Sequence, residues 1–267
     1  MWLTKNTFNS KGKCKWWRRS SIFGIAIATS LLFILAGTGK FAAETSRSSL
    51  PELKVHPLPP SLAQWSRKNR SGDYFSQVKS TSLGYLIWSN FPIKYYLDRP
   101  INPDENIVSD LRFLNWVNAV TKAIEEWDKY LPLQEVENVA QADLIIKRKR
   151  PSLREIIDLE TGETKPPRAR TALTSYEFYL RVKEDNSLIL AHRMTIELST
   201  GMSERQTLAT ARHEIGHALG IWGHSQQETD ALYYSQVANP PAISPRDVNT
   251  LKKIYEQPTR LGWLVGR

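Results

Sequence analysis

Two histidines four residues apart, His213 and His217, with a glutamate directly after the first, most narrow what this chain can build. They act together only on a helix, where positions i and i+4 lie one above the other on one face. The neighbouring residues supply that helix. Ser203 followed three residues later by Gln206 is a capping-box start, and Gly220 is the residue type that ends a helix in a left-handed conformation. The spacing predicts a helix from Ser203 to about Leu219, with the two imidazoles aimed at one cation. Beyond Gly220 the chain can turn back, and His224 is the next and last of five histidines. Three imidazoles with an open fourth position suit Zn²⁺, which lowers the pKa of a bound water and polarises a carbonyl. Glu214 sits beside the first ligand, where it can take that water's proton as general base during attack on a peptide carbonyl. Asp230 offers a carboxylate as an alternative third donor, across a wider loop.

Charge and targeting bound the partners. The chain has 267 residues and a formal charge of +9. Seven basic residues and no acidic one fall in residues 1–43, which leaves 29 basic against 27 acidic elsewhere. The excess belongs to a leader, so no nucleic-acid partner is expected. The run Lys147-Arg148-Lys149-Arg150 is short for a nucleic-acid tract and reads as a solvated strand end and loop, with a docking patch for an acidic surface as the alternative. Six positive charges precede the uncharged stretch Ile22 to Ala36, the two opening parts of an export signal. Gly37-Thr38-Gly39 provides small residues for cleavage, whereas residues 22–39 are also just long enough to anchor in a bilayer. Residues 1–43 are therefore a signal peptide or a signal anchor. In either case the remainder is secreted, periplasmic, or membrane-anchored outside the cytoplasm. Cys14, the single cysteine, lies in this leader, which excludes a disulfide framework and a cysteine-built metal site downstream.

Residues 44–82 contain Pro51, Pro57, Pro59 and Pro60 and the polar run Ser66 to Gly72, and predict a Pro-rich polar linker with His56 in solvent. A globular domain is expected over 83–260. Ile93, Tyr95 and Leu97 alternate as in a half-buried strand. Phe113, Val117, Val120, Ile124, Trp127 and Leu131 recur as one face of a helix starting near Ser109 or Asp110 and ending about Leu131, before Pro132. A strand over Ala142 to Ile146 completes a strand-helix-strand unit on a parallel pair. Two more strands are expected at Tyr176 to Val182 and within Ser187 to Leu198, with His192 structural or exposed.

The segment His213-Glu214-x-x-His217-x-x-Gly220 with a following histidine resembles the metzincin clan of zinc endopeptidases, and Ser225 directly after His224 resembles its matrixin branch. Residues 242–255, with Ser244 as cap and Pro245 at the first helical position, are similar to the C-terminal helix of matrixin catalytic domains. The resemblance covers about residues 83–257. It implies an α+β fold: a twisted mixed sheet, a packed helix, a zinc-binding active-site helix and a small C-terminal subdomain. It also implies hydrolysis of a peptide or protein substrate paired with an edge strand, with His213, His217 and His224 as metal ligands and Glu214 as the catalytic base. A non-catalytic zinc-bearing binding module is the alternative, and the retained Glu214 argues against it.

Three departures from the family pattern stand out. The third histidine comes one residue late, Gly223 occupying the usual position. The family's turn methionine is absent, and Leu232 stands in its place as an apolar floor of similar volume. No cysteine is placed to block the metal from a propeptide. Tyr234, two residues after Leu232, resembles in position a tyrosine that stabilises the oxyanion in some metzincins, although an aromatic near a core turn is more often there for packing.

Overall fold

The computed structural model of the protein describes residues 5–6, 50–66, 71–153, 156–157, 164–165 and 170–266. The expected signal or anchor segment lies outside the described residues, apart from Lys5 and Asn6. Among the described residues no helix is long and apolar enough to cross a membrane.

Strand β1 (Ile93–Leu97) buries Ile93, Tyr95 and Leu97 and exposes Lys94, the alternation that the sequence predicts. Helix α1 (Val108–Asp128) follows and buries Val117, Val120, Ile124 and Trp127 along its apolar row, while Phe113 is only partly covered. It stops three residues before Leu131, where the Asp128 carboxylate accepts from the Leu133 amide at 2.7 Å and turns the chain. Strand β2 (Leu133–Glu135) is a three-residue element absent from the sequence reading, because three half-exposed or exposed positions carry no alternation. Strand β3 (Leu144–Lys147) is buried at Leu144, Ile145 and Ile146.

Strands β4 (Ala172–Val182) and β5 (Leu188–Leu198) form a long antiparallel hairpin, each strand having eleven residues. The first begins four residues earlier than expected. The sheet order is β4-β5-β3-β1-β2, and every pairing other than the hairpin is parallel. Lys5–Asn6 pairs in parallel with Ser175 and Tyr176 on the outer side of β4. The mixed sheet with helices laid on it is the expected α+β architecture.

Helix α2 (Glu204–Ala218) carries the paired histidines and packs against α1 and the hairpin. Its start is the capping box between Ser203 and Gln206. Two polar ties fix it to α1. The Trp127 indole donates to the Arg212 carbonyl at 2.8 Å, and the Arg212 guanidinium grips Glu126 with two bonds. Helix α3 (Pro245–Tyr255) starts at Ser244 with a second capping box through Asp247, and its Tyr255 hydroxyl donates to the Leu219 carbonyl at the end of α2.

Residues 50–66 and 71–82, read from the sequence as linker, are part of the folded unit. Leu62 is fully buried on a short helix, Pro60–Gln64, and Tyr74 and Val78 join the same core. Lys54 exchanges backbone bonds with Thr259 at 3.1 and 2.9 Å. His56 is not free in solvent either; its ring stacks on Trp263 at 4.1 Å and its Nε2 bonds to the Leu261 carbonyl. The prolines misled the reading because they restrict the chain to extended strap as readily as to coil. A chain starting at residue 50 should therefore melt cooperatively, whereas one starting at 83 should not. The lost burial of Leu62, Tyr74 and Val78, about 1.5–3 kcal/mol each, approaches the whole net stability of ~5–15 kcal/mol. Thermal unfolding followed by near-UV circular dichroism of both truncations checks this.

His192, on β5, is buried and stacks on Trp88 at 3.8 Å, with no partner for its Nε2. Burial lowers its pKa to about 3. Below the unfolded value near 6.5 the unfolded chain takes up a proton that the folded chain refuses, so stability falls as pH drops from 6.5 towards 3, by about 1.4 kcal/mol per pH unit. His192→Phe keeps the stacking and should lose that share of the acid sensitivity. Urea midpoints at pH 7 and pH 5 measure it, and an equal loss in both proteins would refute the assignment.

Candidate metal centre

The helix presents His213 and His217 one turn apart, with ring centroids 4.7 Å apart and both side chains buried. At the end of α2, Gly220 takes a φ of +122°, a conformation that side chains other than glycine's rarely adopt, and the chain reverses. The reversal brings the His224 ring to 5.3 Å from His213 and 4.8 Å from His217. One ligand nitrogen from each of the three histidines lies within 4.8 Å of the others, and this is the metal-competent cluster found among the described residues. The one-residue offset at the third histidine is thus absorbed by the loop.

Gly223 contributes to this by its lack of a side chain and not by an unusual dihedral. It does not adopt the positive φ seen at Gly220, so it is not re-aiming the chain through a left-handed conformation. Its role is room: a Cβ there would come within 2.2 Å of the Gln77 carbonyl oxygen. The Lys79 amide donates to the Trp222 carbonyl at 3.0 Å in the same place. The strap over residues 71–82 therefore backs the loop that carries His224.

The donor set fits a zinc ion. His213 Nδ1 donates to the Ala231 carbonyl at 2.9 Å and His217 Nδ1 to the Ile221 carbonyl at 2.7 Å. A carbonyl only accepts, so both protons are on Nδ1 and both Nε2 atoms present lone pairs to the centre. These two Nε2 atoms are 3.1 Å apart, close to the separation of about 3.3 Å that two nitrogens each ~2.0–2.1 Å from a tetrahedral zinc would have. His224 Nε2 is buried without a hydrogen-bond partner, an orphan that a cation would satisfy. Burial is the first cause that depresses all three imidazoles, His217 to about 3 and His224 to about 4, and keeps them neutral as ligands must be.

Glu214 is buried beside this cluster, and burial raises its carboxyl to about 7. It accepts from the Thr174 hydroxyl of β4, which opposes that rise. The sequence places the start of this strand at Tyr176 and so leaves Thr174 outside it, whereas the strand begins at Ala172. The signal for Thr174 is a polar residue between Ala172 and Tyr176 on the inward side. Leu232 is fully buried under the helix, where a Cβ on Gly216 would meet its Cδ2 at 2.6 Å. It forms the apolar floor expected of it. Tyr234 is 47% exposed and packs against Tyr233.

Asp230 is not among the metal-competent residues. Fully buried, it accepts from Ser225 Oγ at 2.5 Å, Ser244 Oγ at 2.7 Å and Arg246 Nε at 3.0 Å, tying the loop after His224 to α3. Asp247 of α3 reaches the same turn. It accepts from the amides of Ala231 and Leu232 and from the Tyr74 hydroxyl, and so fixes the carbonyl that holds His213. A cleft of ≈540 Å³ opens beside His213, lined among others by Gln206, Thr210, Ala231 and Tyr233. In the basic run, Arg148 lies over the Phe113 ring at 4.3 Å and Lys149 pairs with Glu197, as a strand end would.

A histidine-bearing helix packed on a mixed sheet, closed by a third histidine after a glycine turn, defines a zinc metallopeptidase. The matrixin family model (peptidase family M10, described as Matrixin) matches residues 101–256, and the chain belongs to that family. It is a zinc metalloendopeptidase, and the three-histidine cluster can bind the zinc on which matrixins depend. No curated protein matches the chain.

Proposed function

We propose that the protein is an exported endopeptidase in which His213, His217 and His224 hold zinc and Glu214 is the general base. The observation that carries this is the convergence of three neutral imidazoles, two with their protons committed to carbonyls and one with an unpartnered Nε2, at a helix whose Glu214, next in the chain to His213, is also buried. Bound zinc supplies a Lewis acid that acidifies water in its open position and polarises the substrate carbonyl. The chain's own residues do the rest. Glu214 takes the proton of the attacking water and returns it to the leaving amine, the two directions of one acid-base group. The cleft beside His213 is the natural receptacle for a substrate side chain.

The leader 1–43 supports export, and family members are in general extracellular. Membrane anchoring through residues 22–39 is the form that export takes if the segment is retained. The test is cleavage of dye-quenched casein by the full chain, before and after chelation and after zinc is restored. Fractionation of expressing cells reports the compartment. Cleavage that is indifferent to chelation would overturn the zinc mechanism, and a full-length cytoplasmic pool would overturn export.

A further inference from the structure

We infer that Thr174 is a positioning residue for Glu214, holding one carboxylate oxygen so that the other is free for the reacting water. The inference rests on the reading of Glu214 as general base. Thr174 lies on the inward side of β4, between Ala172 and Tyr176, and is 1% exposed. Register pairs it with Ile196 of β5, so the strand cannot slide without breaking an eleven-residue ladder. Its hydroxyl donates to Glu214 Oε2 and also lies 3.3 Å from the Glu214 backbone carbonyl. Among the described residues this is the donor that the Glu214 side chain has, and Oε1 has none.

A glutamate side chain has three rotatable bonds and no intrinsic reason to keep its plane fixed. A buried one that must present a lone pair to water in one place needs a fixed second oxygen. The hydroxyl also provides what an apolar residue on this strand face could not. Ala172 and Tyr176 show that the neighbouring inward positions are filled by apolar contact, Tyr176 packing edge-on against Trp222 at 5.0 Å. A hydroxyl at Thr174 is therefore no requirement of the core. It serves the carboxylate, and it couples β4 to the base on the helix below.

The experiment compares the full chain with Thr174→Val, Thr174→Ser and Thr174→Ala, using dye-quenched casein and zinc stoichiometry as readouts. Valine preserves shape and removes the hydroxyl. It should lower kcat about 10- to 100-fold, the range seen when an outer partner of a site residue is lost, with KM within about twofold and zinc content unchanged. Serine keeps the donor and should restore kcat to within a few-fold of wild type. If the valine protein does not fold, alanine carries the same prediction with a small cavity in place of the methyl groups. A folded valine or alanine variant with kcat within twofold of wild type overturns the inference, as does a serine variant that falls as far as valine. Glu214→Gln run alongside separates the two failures. If it is inactive while Thr174→Val is normal, only the positioning role is lost; if Glu214→Gln is itself active, the general-base reading fails first.

Discussion

Glu214→Gln should leave a folded, zinc-loaded protein that cleaves casein more slowly by about 10²–10⁴, the range general-base catalysis supplies. Glutamine has the size of glutamate and can still accept from the Thr174 hydroxyl, so the contact across from β4 survives the change. What it lacks is an oxygen that can carry a proton away from water. Burial makes the contrast sharper, because no substitute base is at hand: His213 and His217 carry their protons on Nδ1, held by the Ala231 and Ile221 carbonyls, and their Nε2 atoms, with the buried Nε2 of His224, are directed at the metal centre. The substitution also removes a buried ionisable group, so the variant should be no less stable than wild type, and melting temperature is the control. Turnover at the wild-type rate with zinc bound would remove Glu214 from the mechanism.

Much of this centre is legible in the sequence because helix geometry converts spacing into direction. Ser203, Gln206, His213, His217 and Gly220 each have a local reason to be where they are, and the capping box, the shared face and the positive φ all appear as expected. The same holds for β1 and for the apolar row of α1. Legibility ends where partners are distant in the chain. The Thr174 hydroxyl is 40 residues from Glu214, and Tyr74 is 173 residues from Asp247; neither pairing leaves a periodic trace. The burial of residues 50–66 and 71–82 is illegible for a related reason. Its apolar residues Leu62, Tyr74 and Val78 are spaced irregularly, as suits a strap laid over a surface built by other elements. The composition is proline-rich and polar, but burial is decided by what the strap meets. Gly223 shows the limit in one residue: nothing local in the sequence requires a glycine there, and the structure needs it because Gln77 passes too close for a side chain.

His224→Ala should abolish zinc retention and cleavage together, with the fold intact. Removing even an outer partner of a metal ligand costs up to about 100-fold in affinity, and a lost third ligand should exceed that. The loop around it is held independently of the imidazole. Ser225 donates to Asp230, its amide bonds to the Leu232 carbonyl at 2.8 Å, and Lys79 holds Trp222 from the other side. The alanine variant should therefore melt close to the metal-free wild type. Asp230→Asn should do the opposite. Asp230 sits between Ser225, Ser244 and Arg246, and the amide would weaken its charge-assisted bond to Arg246, worth about 1.5–3 kcal/mol. Melting temperature should drop while the folded fraction keeps one zinc per chain. Metal analysis of both variants after gel filtration, with melting curves on the same samples, reads the two outcomes separately. Zinc retained by His224→Ala and lost from a folded Asp230→Asn protein would exchange their roles.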